Sequence, residues 1–350
     1  MEISKALPQK KYIEAAKRAK TDEFQALKNK TIERVRTWYD DPKINQDVIP
    51  GLWFGYGKDS MATAIILELA EVDYCNLIID CGAELPHHYD VLPEWEDYIN
   101  SFGNGFYYEE YLTDDPFPLI IKKYLDWGNS YGLKTKDGQP LNFWDWGEMR
   151  DSISYEAIYQ FQHNYGDGNP NVMCMWGNRG AEGMERQFEI SREGLIQFRD
   201  QDKKDYLPYV RGLPIGDWLD IDVWALLVEE DAPISPIYSM HQIPQKKGKP
   251  FPRTLWYCSP EILCGTYYKW LARYAPVQLK ELCDLFPEVS ARLTAKQVCA
   301  STHHLDEMAY HLQIPAVYTI PLSFPDSIHC RTRCIVNKVW CLGDCQRLSA

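Results

Sequence analysis

The sequence predicts an α/β protein built on a parallel sheet, and three observations lead there. The short, mostly apolar run from Val48 to Phe54 ends at a glycine turn. A breaker-free stretch of helix formers, Met61 to Ala70, follows that turn directly. A second apolar run, Leu77 to Asp80, is closed by Cys81-Gly82 and followed by a helical pattern from Tyr89 to Ile99. The resulting strand, helix, strand, helix order implies parallel strands, whose carboxyl edge is where such sheets take nucleotides.

The remaining elements fall around this unit. Residues 9 to 40 carry Ala15, Ala16, Ala19, Phe24, Leu27, Ile32, Val35 and Trp38 among Lys, Arg and Glu, a pattern of charged amphipathic helices. Residues 1–44 are accordingly assigned to a helical amino-terminal extension. Residues 102–147 are aromatic and turn-rich, with Asp137-Gly138 marking a hairpin or loop, and are treated as an insertion. A helix over Ser152–Asn164, a strand over Val172–Gly177 and a helix over Asp220–Glu230 complete a unit spanning 45–240. Proline and charge clusters at 233–252 mark a boundary. Residues 241–350 form a carboxy-terminal region with helices near 261–285 and 303–312 and a cysteine-rich tail.

Composition narrows the function classes. With 45% apolar and 25% charged residues over 350 positions, the chain has the balance of an ordinary globular protein and enough length for a proper core. The formal charge of −13 argues against broad nonspecific nucleic-acid binding, which an excess of Lys and Arg would drive. Lys246-Lys247-Gly248-Lys249 with Arg253 is a local basic run that also reads as a solvated loop. No apolar run approaches membrane-spanning length, and Met1-Glu2-Ile3-Ser4-Lys5 lacks the apolar core of a signal peptide, so the expectation is a cytoplasmic protein with no membrane partner. Eleven cysteines, an odd number without an export signal, do not suggest a disulfide framework.

The glycine turn carries the first chemical signal. A turn between a buried strand and a helix start exposes unpaired backbone N–H groups at the positive end of the helix dipole, where phosphate is readily held. Gly55 and Gly57 suit such a turn, since glycine permits positive φ and lets the backbone approach an oxyanion closely. Asp59 and Ser60 are candidate helix caps, and Lys58 adds a cation. The longer cradle of a Walker loop is absent.

The run Phe54-Gly55-Tyr56-Gly57-Lys58-Asp59-Ser60 resembles the S-G-G-K-D-S loop of the PP-loop ATP pyrophosphatases and the related phosphoadenosine phosphosulfate (PAPS) reductases. Three later blocks fall in that family's order. Ile79-Asp80-Cys81-Gly82 with Pro86 and Tyr89 is similar to its I-D-T-G segment, and Trp176-Gly177-Asn178-Arg179-Gly180-Ala181-Glu182 with Arg186 to its G-x-R-x-x-E-S-x-x-R segment. Pro214-Ile215, Asp217-Trp218 and Asp222-Val223-Trp224, trailed by Pro233, Pro236 and Tyr238, resemble its P-[IL]-x-x-W-x-x-x-D-V-W region. The departures are Gly55 and Tyr56 in place of the first Ser and Gly, Cys81 for the threonine, and Gly183 for the serine after the glutamate. The E-C-G-[IL]-H motif with the reductases' nucleophilic cysteine is not found, which points away from assimilatory sulfonucleotide reduction.

The resemblance implies a Rossmann-like parallel sheet with helices on both faces, of the adenine nucleotide alpha hydrolase-like kind, that binds ATP or PAPS. It implies nucleotide contacts from Gly55, Tyr56, Gly57, Lys58, Asp59, Ser60, Asp80, Arg179, Glu182 and Arg186, with Lys58, Asp59 and Arg179 in the catalytic role. Asp59 is a candidate Mg²⁺ ligand or simply a cap, and Asp80 would meet ribose or adenine or cap a turn. Arg179 and Arg186, seven apart, would share one face of a helical segment and address anionic groups; the plainer alternative is a surface ion pair of Arg179 with Glu182. The favoured reaction is adenylation of an acceptor with release of pyrophosphate, followed by sulfur transfer. The alternatives are a PAPS reductase, and a nucleotide-binding accessory subunit acting through a protein partner. The acceptor, a nucleic acid among the candidates, and the oligomeric state, a homodimer among the candidates, stay open.

The tail Cys330-x3-Cys334-x6-Cys341-x3-Cys345 is the second signal. Four thiols so spaced either close a tetrahedral Zn²⁺ site, hold an iron–sulfur cluster, or remain free thiols on packed helices. Cys258 and Cys264 stand just past the matched region, where some sulfur-transferring relatives keep cluster-binding cysteines.

Overall fold

The structure is a computed structural model that describes residues 3, 7–44, 49–55, 57–80, 87, 90–103, 105–111, 117–132, 134–135, 137–145, 171–199, 208–238, 267–300, 331–336 and 339–341. In 78–80, 105–111, 117, 120, 124, 145, 267–270, 294–300, 331–336 and 339–341 it is the backbone path that is described. Tyr56, the expected helices over 152–164 and 303–312, the basic run at 246–249, and Cys81, Cys258, Cys264, Cys330 and Cys345 lie outside the described residues.

In chain order the elements are α1 (Gln9–Ala19), α2 (Asp22–Tyr39), β1 (Gly51–Trp53), α3 (Lys58–Leu69), β2 (Tyr74–Asp80), α4 (Leu92–Asn100), β3 (Gly105–Tyr111), α5 (Phe117–Ser130), β4 (Val172–Met175), α6 (Met184–Glu193), β5 (Ile196–Arg199), β6 (Tyr209–Gly212), α7 (Asp220–Glu229), α8 (Tyr267–Tyr274), α9 (Pro276–Leu285), α10 (Pro287–Ala300), β7 (Arg331–Val336) and β8 (Val339–Cys341). The eight strands among the described residues share one sheet in the order β5-β6-β4-β1-β2-β3-β7-β8. The central run β6-β4-β1-β2-β3 is parallel, while β5, β7 and β8 join antiparallel at the two edges. This is the Rossmann-like α/β sheet expected of the sequence.

From β1 the chain steps outward through β2 to β3, then returns to β4 on the other side of β1 and continues to β6. The connections after β1 and β4 therefore leave in opposite directions and open a crevice at the carboxyl ends of those two strands. Helix α3 fills the space beside it. Its residues Ser60 to Glu68 are all buried, so the sequence Met61-Ala62-Thr63-Ala64-Ile65-Ile66-Leu67 reads as apolar all round rather than amphipathic. Each fully buried aliphatic side chain there contributes about 1.5–3 kcal/mol. The core they enter also holds Leu52, Met173, Met175 and Val210 from one face of the sheet, with Val35, Trp95, Ile121, Trp224 and Leu282 from the helices. The opposite face carries Cys75, Leu77, Val172, Cys174 and Tyr209, with Trp53 and Trp176 at its edge.

The amino-terminal helices are keyed onto this core by specific bonds. Thr21 caps α2 by accepting the Phe24 N–H at 3.2 Å. Arg34 makes a bidentate pair with Asp217, at 2.9 and 2.6 Å, and donates to the Pro214 carbonyl at 2.8 Å. The Trp218 indole N–H donates to Thr31 Oγ1 at 2.9 Å. The Pro214–Trp218 segment thus serves to dock α2.

Several expectations are corrected. The first strand is Gly51–Trp53, shorter than Val48–Phe54, though the Phe54 N–H still donates to the Leu77 carbonyl at 3.0 Å. Residues 102–147 are not an insertion: Gly105–Tyr111 pairs in parallel with β2 along its whole length, and Phe117–Ser130 is a helix. The aromatic and acidic text Phe106-Tyr107-Tyr108-Glu109-Glu110 hid a strand because it shows neither a continuous apolar run nor a clean alternation. The tail forms strands rather than helices, with the antiparallel β7–β8 hairpin laid against β3.

Candidate functional site

The site is built at the crevice between β1 and β4. The chain leaves β1 through Gly55, above which nothing stands within 4 Å of where a Cβ would be, so the loop has open space on that side. Gly57 is the N-cap of α3, with φ −85° and ψ 153°, and Gly55 is not among the glycines with positive φ. Neither glycine uses the positive φ that glycine permits, and openness is what glycine contributes at Gly55. Because α3 begins at Lys58, Asp59 and Ser60 lie inside its first turn and neither caps it. Ser60 turns its hydroxyl back to donate to the Gly57 carbonyl at 2.8 Å. The Lys58 N–H, the first of the helix, donates to the Tyr238 hydroxyl at 3.0 Å. Tyr238 in turn stands edge-on to Trp224, with ring centroids 5.1 Å apart.

The loop after β4 approaches the same helix start. A Cβ on Gly177 would lie 2.6 Å from the Asp59 carbonyl carbon and 2.8 Å from the Ser60 nitrogen, so no other residue fits against that turn. This contact brings Arg179, with a side chain 4% exposed, to Asp59: Nε donates to Oδ1 at 2.7 Å. Arg179 is thus buried at the crevice, not paired at the surface with Glu182, whose carboxylate instead accepts the Arg179 backbone N–H at 3.1 Å and pairs with Arg186. A short 3-10 turn at 180–182 and the break at Gly183 separate Arg179 from α6, so Arg179 and Arg186 do not share a helical face.

Asp220, the first residue of α7, closes the cluster. Its Oδ1 lies 3.1 Å from Lys58 Nζ and 3.6 Å from Arg179 Nη2. Its Oδ2 accepts from the Trp224 indole at 3.1 Å and lies 3.2 Å from Lys11 Nζ, which comes from α1. Lys58 Nζ also holds both oxygens of Asp59, at 2.8 and 2.7 Å. Burial pushes the Asp220 carboxyl up, but the charges and hydrogen bonds of Lys58 and Lys11 outweigh it and hold the group below the usual carboxylate range. Three cations and two carboxylates thus interlock at the starts of two helices. The carboxylates occupy donors that a phosphate would otherwise use.

On the face of the sheet away from α3, Trp53 and Trp176 are stacked, 6.2 Å between centroids and 13° between planes, with the Arg211 guanidinium 5.3 Å from the Trp176 ring centroid. Asp80 ends β2, one strand from β1 and opposite Tyr111. Lys58, Asp59, Arg179 and Glu182 are therefore brought together, with Arg186 joined through Glu182. Lys11 and Asp220 belong to the same neighbourhood and were not singled out as site residues from the sequence. Asp220 carried a signal, as an acidic residue at a helix start, whereas Lys11 carried none. In the tail, Cys334 and Cys341 are directly opposed across the β7–β8 hairpin. Among the described residues no group of three or more His, Cys, Asp or Glu is arranged to hold a metal ion, and no helix is long and apolar enough to cross a membrane.

Fold and site together define a Rossmann-like α/β protein with a cluster of paired cations and carboxylates at its switch point. Neither a protein-family model nor a curated protein sequence matches the chain. Among solved structures it is similar to PAPS reductase from Candida auris in a phosphate complex, at 14% identity over 63% of this chain and 91% of that one, with a TM-score of 0.37. It is also similar to FMN adenylyltransferase from Candida glabrata with FAD and inorganic pyrophosphate, at 13% identity over 67% and 68% of the two chains, with a TM-score of 0.38. A third is the U34-tRNA thiolase from Methanococcus maripaludis with its 4Fe–4S cluster, at 11% identity over 77% and 80%, with a TM-score of 0.38.

Proposed function

We propose that the chain is a PP-loop enzyme that binds ATP at the β1–β4 crevice and cleaves it between the α- and β-phosphorus, adenylating an acceptor for sulfur transfer. The observation that carries this reading is the buried Arg179 locked to Asp59 beside Lys58, at a helix start beside the switch point of the strand order. An acceptor oxygen attacks the α-phosphorus, the bond to the bridging oxygen breaks, and pyrophosphate departs with the electron pair. Lys58 and Arg179 neutralise the charge that gathers on the departing group, and both are already oriented before substrate arrives. A sulfur nucleophile then displaces AMP from the adenylated acceptor.

Mg²⁺ suits the donor set, because Asp59 and Asp220 both reach the one Lys58 ammonium, and two carboxylates plus phosphate oxygens make a fitting shell. Bound there it would supply further charge neutralisation on the phosphates. A zinc or iron–sulfur centre on Cys330, Cys334, Cys341 and Cys345 is a separate part of the proposal, resting on the thiol spacing and on the opposed positions of Cys334 and Cys341. Elemental analysis of the purified protein tests it, and a preparation free of zinc and iron removes it.

Titration calorimetry with ATP and with PAPS, each with Mg²⁺, followed by an assay of pyrophosphate release with candidate acceptors, tests the main reading. ATP binding with acceptor-dependent pyrophosphate release is the expected result. Binding of PAPS alone, with thioredoxin-dependent sulfite formation, would replace it with the reductase reading, and ATP binding without turnover with the accessory-subunit reading.

A further inference from the structure

We infer that Cys334 and Cys341 form a reversible cross-strand disulfide, a redox clasp on the outer hairpin of the sheet. The inference does not rest on the nucleotide reading of the crevice. It gives the tail thiols an oxidised, metal-free state that alternates with a metal centre on the same thiols.

The placement comes from register. In the β7–β8 hairpin Val336 is opposite Val339, Ile335 opposite Trp340 and Cys334 opposite Cys341. Directly opposed residues of an antiparallel pair share a face of the sheet, with Cα atoms about 4.5–5.5 Å apart. That separation falls inside the span of roughly 4.4–6.8 Å that a disulfide bridges. A slip of one residue would put the two cysteines on opposite faces, so the bridge depends on this register.

The same row continues inward. Cys334 is opposite Tyr108 of β3, and Tyr108 is opposite Leu77 of β2. Leu77 belongs to the face of the sheet away from α3, so the register places both cysteines on that face, at the end of the strand order. Cys75 and Cys174 provide the contrast. They stand on the same face, but Gly51 of β1 lies between them in register. Two strand spacings separate their backbones by about 9.5 Å, too far for a disulfide without backbone movement. Both are free thiols.

The oxidant is a low-molecular-weight disulfide, for which oxidised glutathione is the probe. One cysteine thiolate attacks a glutathione sulfur, the glutathione S–S bond breaks, and one glutathione leaves with the electron pair. The opposed cysteine then attacks the protein sulfur of the mixed disulfide and expels the second glutathione. Two electrons pass from the protein to the oxidant, and the two protons given up by the cysteines end on the two glutathione thiols. The closed pair withdraws two thiols from metal, so oxidation releases any zinc or iron held there.

The full-length protein is equilibrated in glutathione buffers from reducing to oxidising, alkylated, and digested with trypsin without reductant, with zinc and iron measured at each step. Cleavage after Arg333, Lys338 and Arg347 puts Cys334 on peptide 334–338 and Cys341 on peptide 339–347, so only a disulfide joins the two. The linked pair should rise from almost none to nearly all of the chains across the series, and re-reduction should return both alkylated peptides. It should persist in Cys345→Ser, which removes the other thiol of the second peptide, and vanish in Cys334→Ser and in Cys341→Ser. The midpoint in the folded protein should lie at a lower proportion of oxidised glutathione than in urea. Equal midpoints overturn the inference, because chain proximity alone would then account for the link. Alkylation of both cysteines at the oxidising end, loss of the link in Cys345→Ser, or metal retained with no linked peptide overturns it as well.

Discussion

Arg179 Nε and Asp59 Oδ1 meet at 2.7 Å across 120 residues of sequence, joining the loop after β4 to the first turn of α3. That pair holds the crevice at a fixed width, and most expected outcomes radiate from it.

Arg179→Ala should weaken ATP or pyrophosphate binding roughly 10- to 100-fold, the equivalent of a lost hydrogen bond to a charged group of about 1.5–3 kcal/mol. Arg179→Lys should recover only part, because an ammonium cannot replace the fork of donors that reaches Asp59 and Asp220 together. Calorimetric titration of the two variants side by side checks both statements.

Gly177→Ala places a methyl group 2.6 Å from the Asp59 carbonyl carbon. Backbone must move to admit it, so a loss of about 1–3 kcal/mol in urea-denaturation stability is expected, together with weakened nucleotide binding. Gly55→Ala, with open space at its Cβ, should cost far less stability.

Asp220 supplies a pH dependence of definite sign. Its carboxyl is held below the ordinary range in the folded protein, so between the folded and unfolded values the unfolded chain binds more protons and stability rises with pH. The contribution is present above the unfolded carboxylate value and is lost as pH falls through the depressed folded value. Asp220→Asn should therefore flatten the acid limb of stability measured by denaturant titration across a pH series. A mutant limb as steep as the wild type would contradict the assignment.

Arg18→Met leaves the Asp222 carboxylate buried with the Leu219 N–H as its remaining described donor. Removing one partner of a buried ion pair costs on the order of 3–5 kcal/mol, and the retained N–H bond sets the expectation at the lower end. The midpoint of urea unfolding reads it directly.

The Cys174 thiol is pushed up to about 12 by complete burial, which keeps it protonated and unreactive at neutral pH. Iodoacetamide at pH 8 should leave Cys174 unmodified in the folded protein and label it fully in urea, as peptide mass spectrometry would show.

Much of the fold was legible where local chemistry is self-contained. Leu52 to Phe54, the glycine turn and the uninterrupted helix formers after it form one continuous signal, and Leu77 to Asp80 another. Phe106 to Glu110 was not legible, because what makes it a strand is pairing with β2 and β7 rather than its own pattern. Of the pocket, Lys58, Asp59 and Arg179 were visible as residue types in order, but their mutual bonds were not. Lys11 and Asp220 stayed hidden for a different reason: an ion pair between residues more than two hundred positions apart leaves no periodicity or spacing to read.

The seating of α1 and α2 on the segments that frame the pocket ties two fates together. Arg34, Thr31 and Arg18 grip Pro214–Trp218 and the start of α7, so the first forty residues cannot loosen without unsettling the place where ligand is held. A protease that nicks the chain between those helices should abolish ligand uptake while the sheet stays intact. Conversely, occupancy of the crevice should slow amide exchange in α1 and α2.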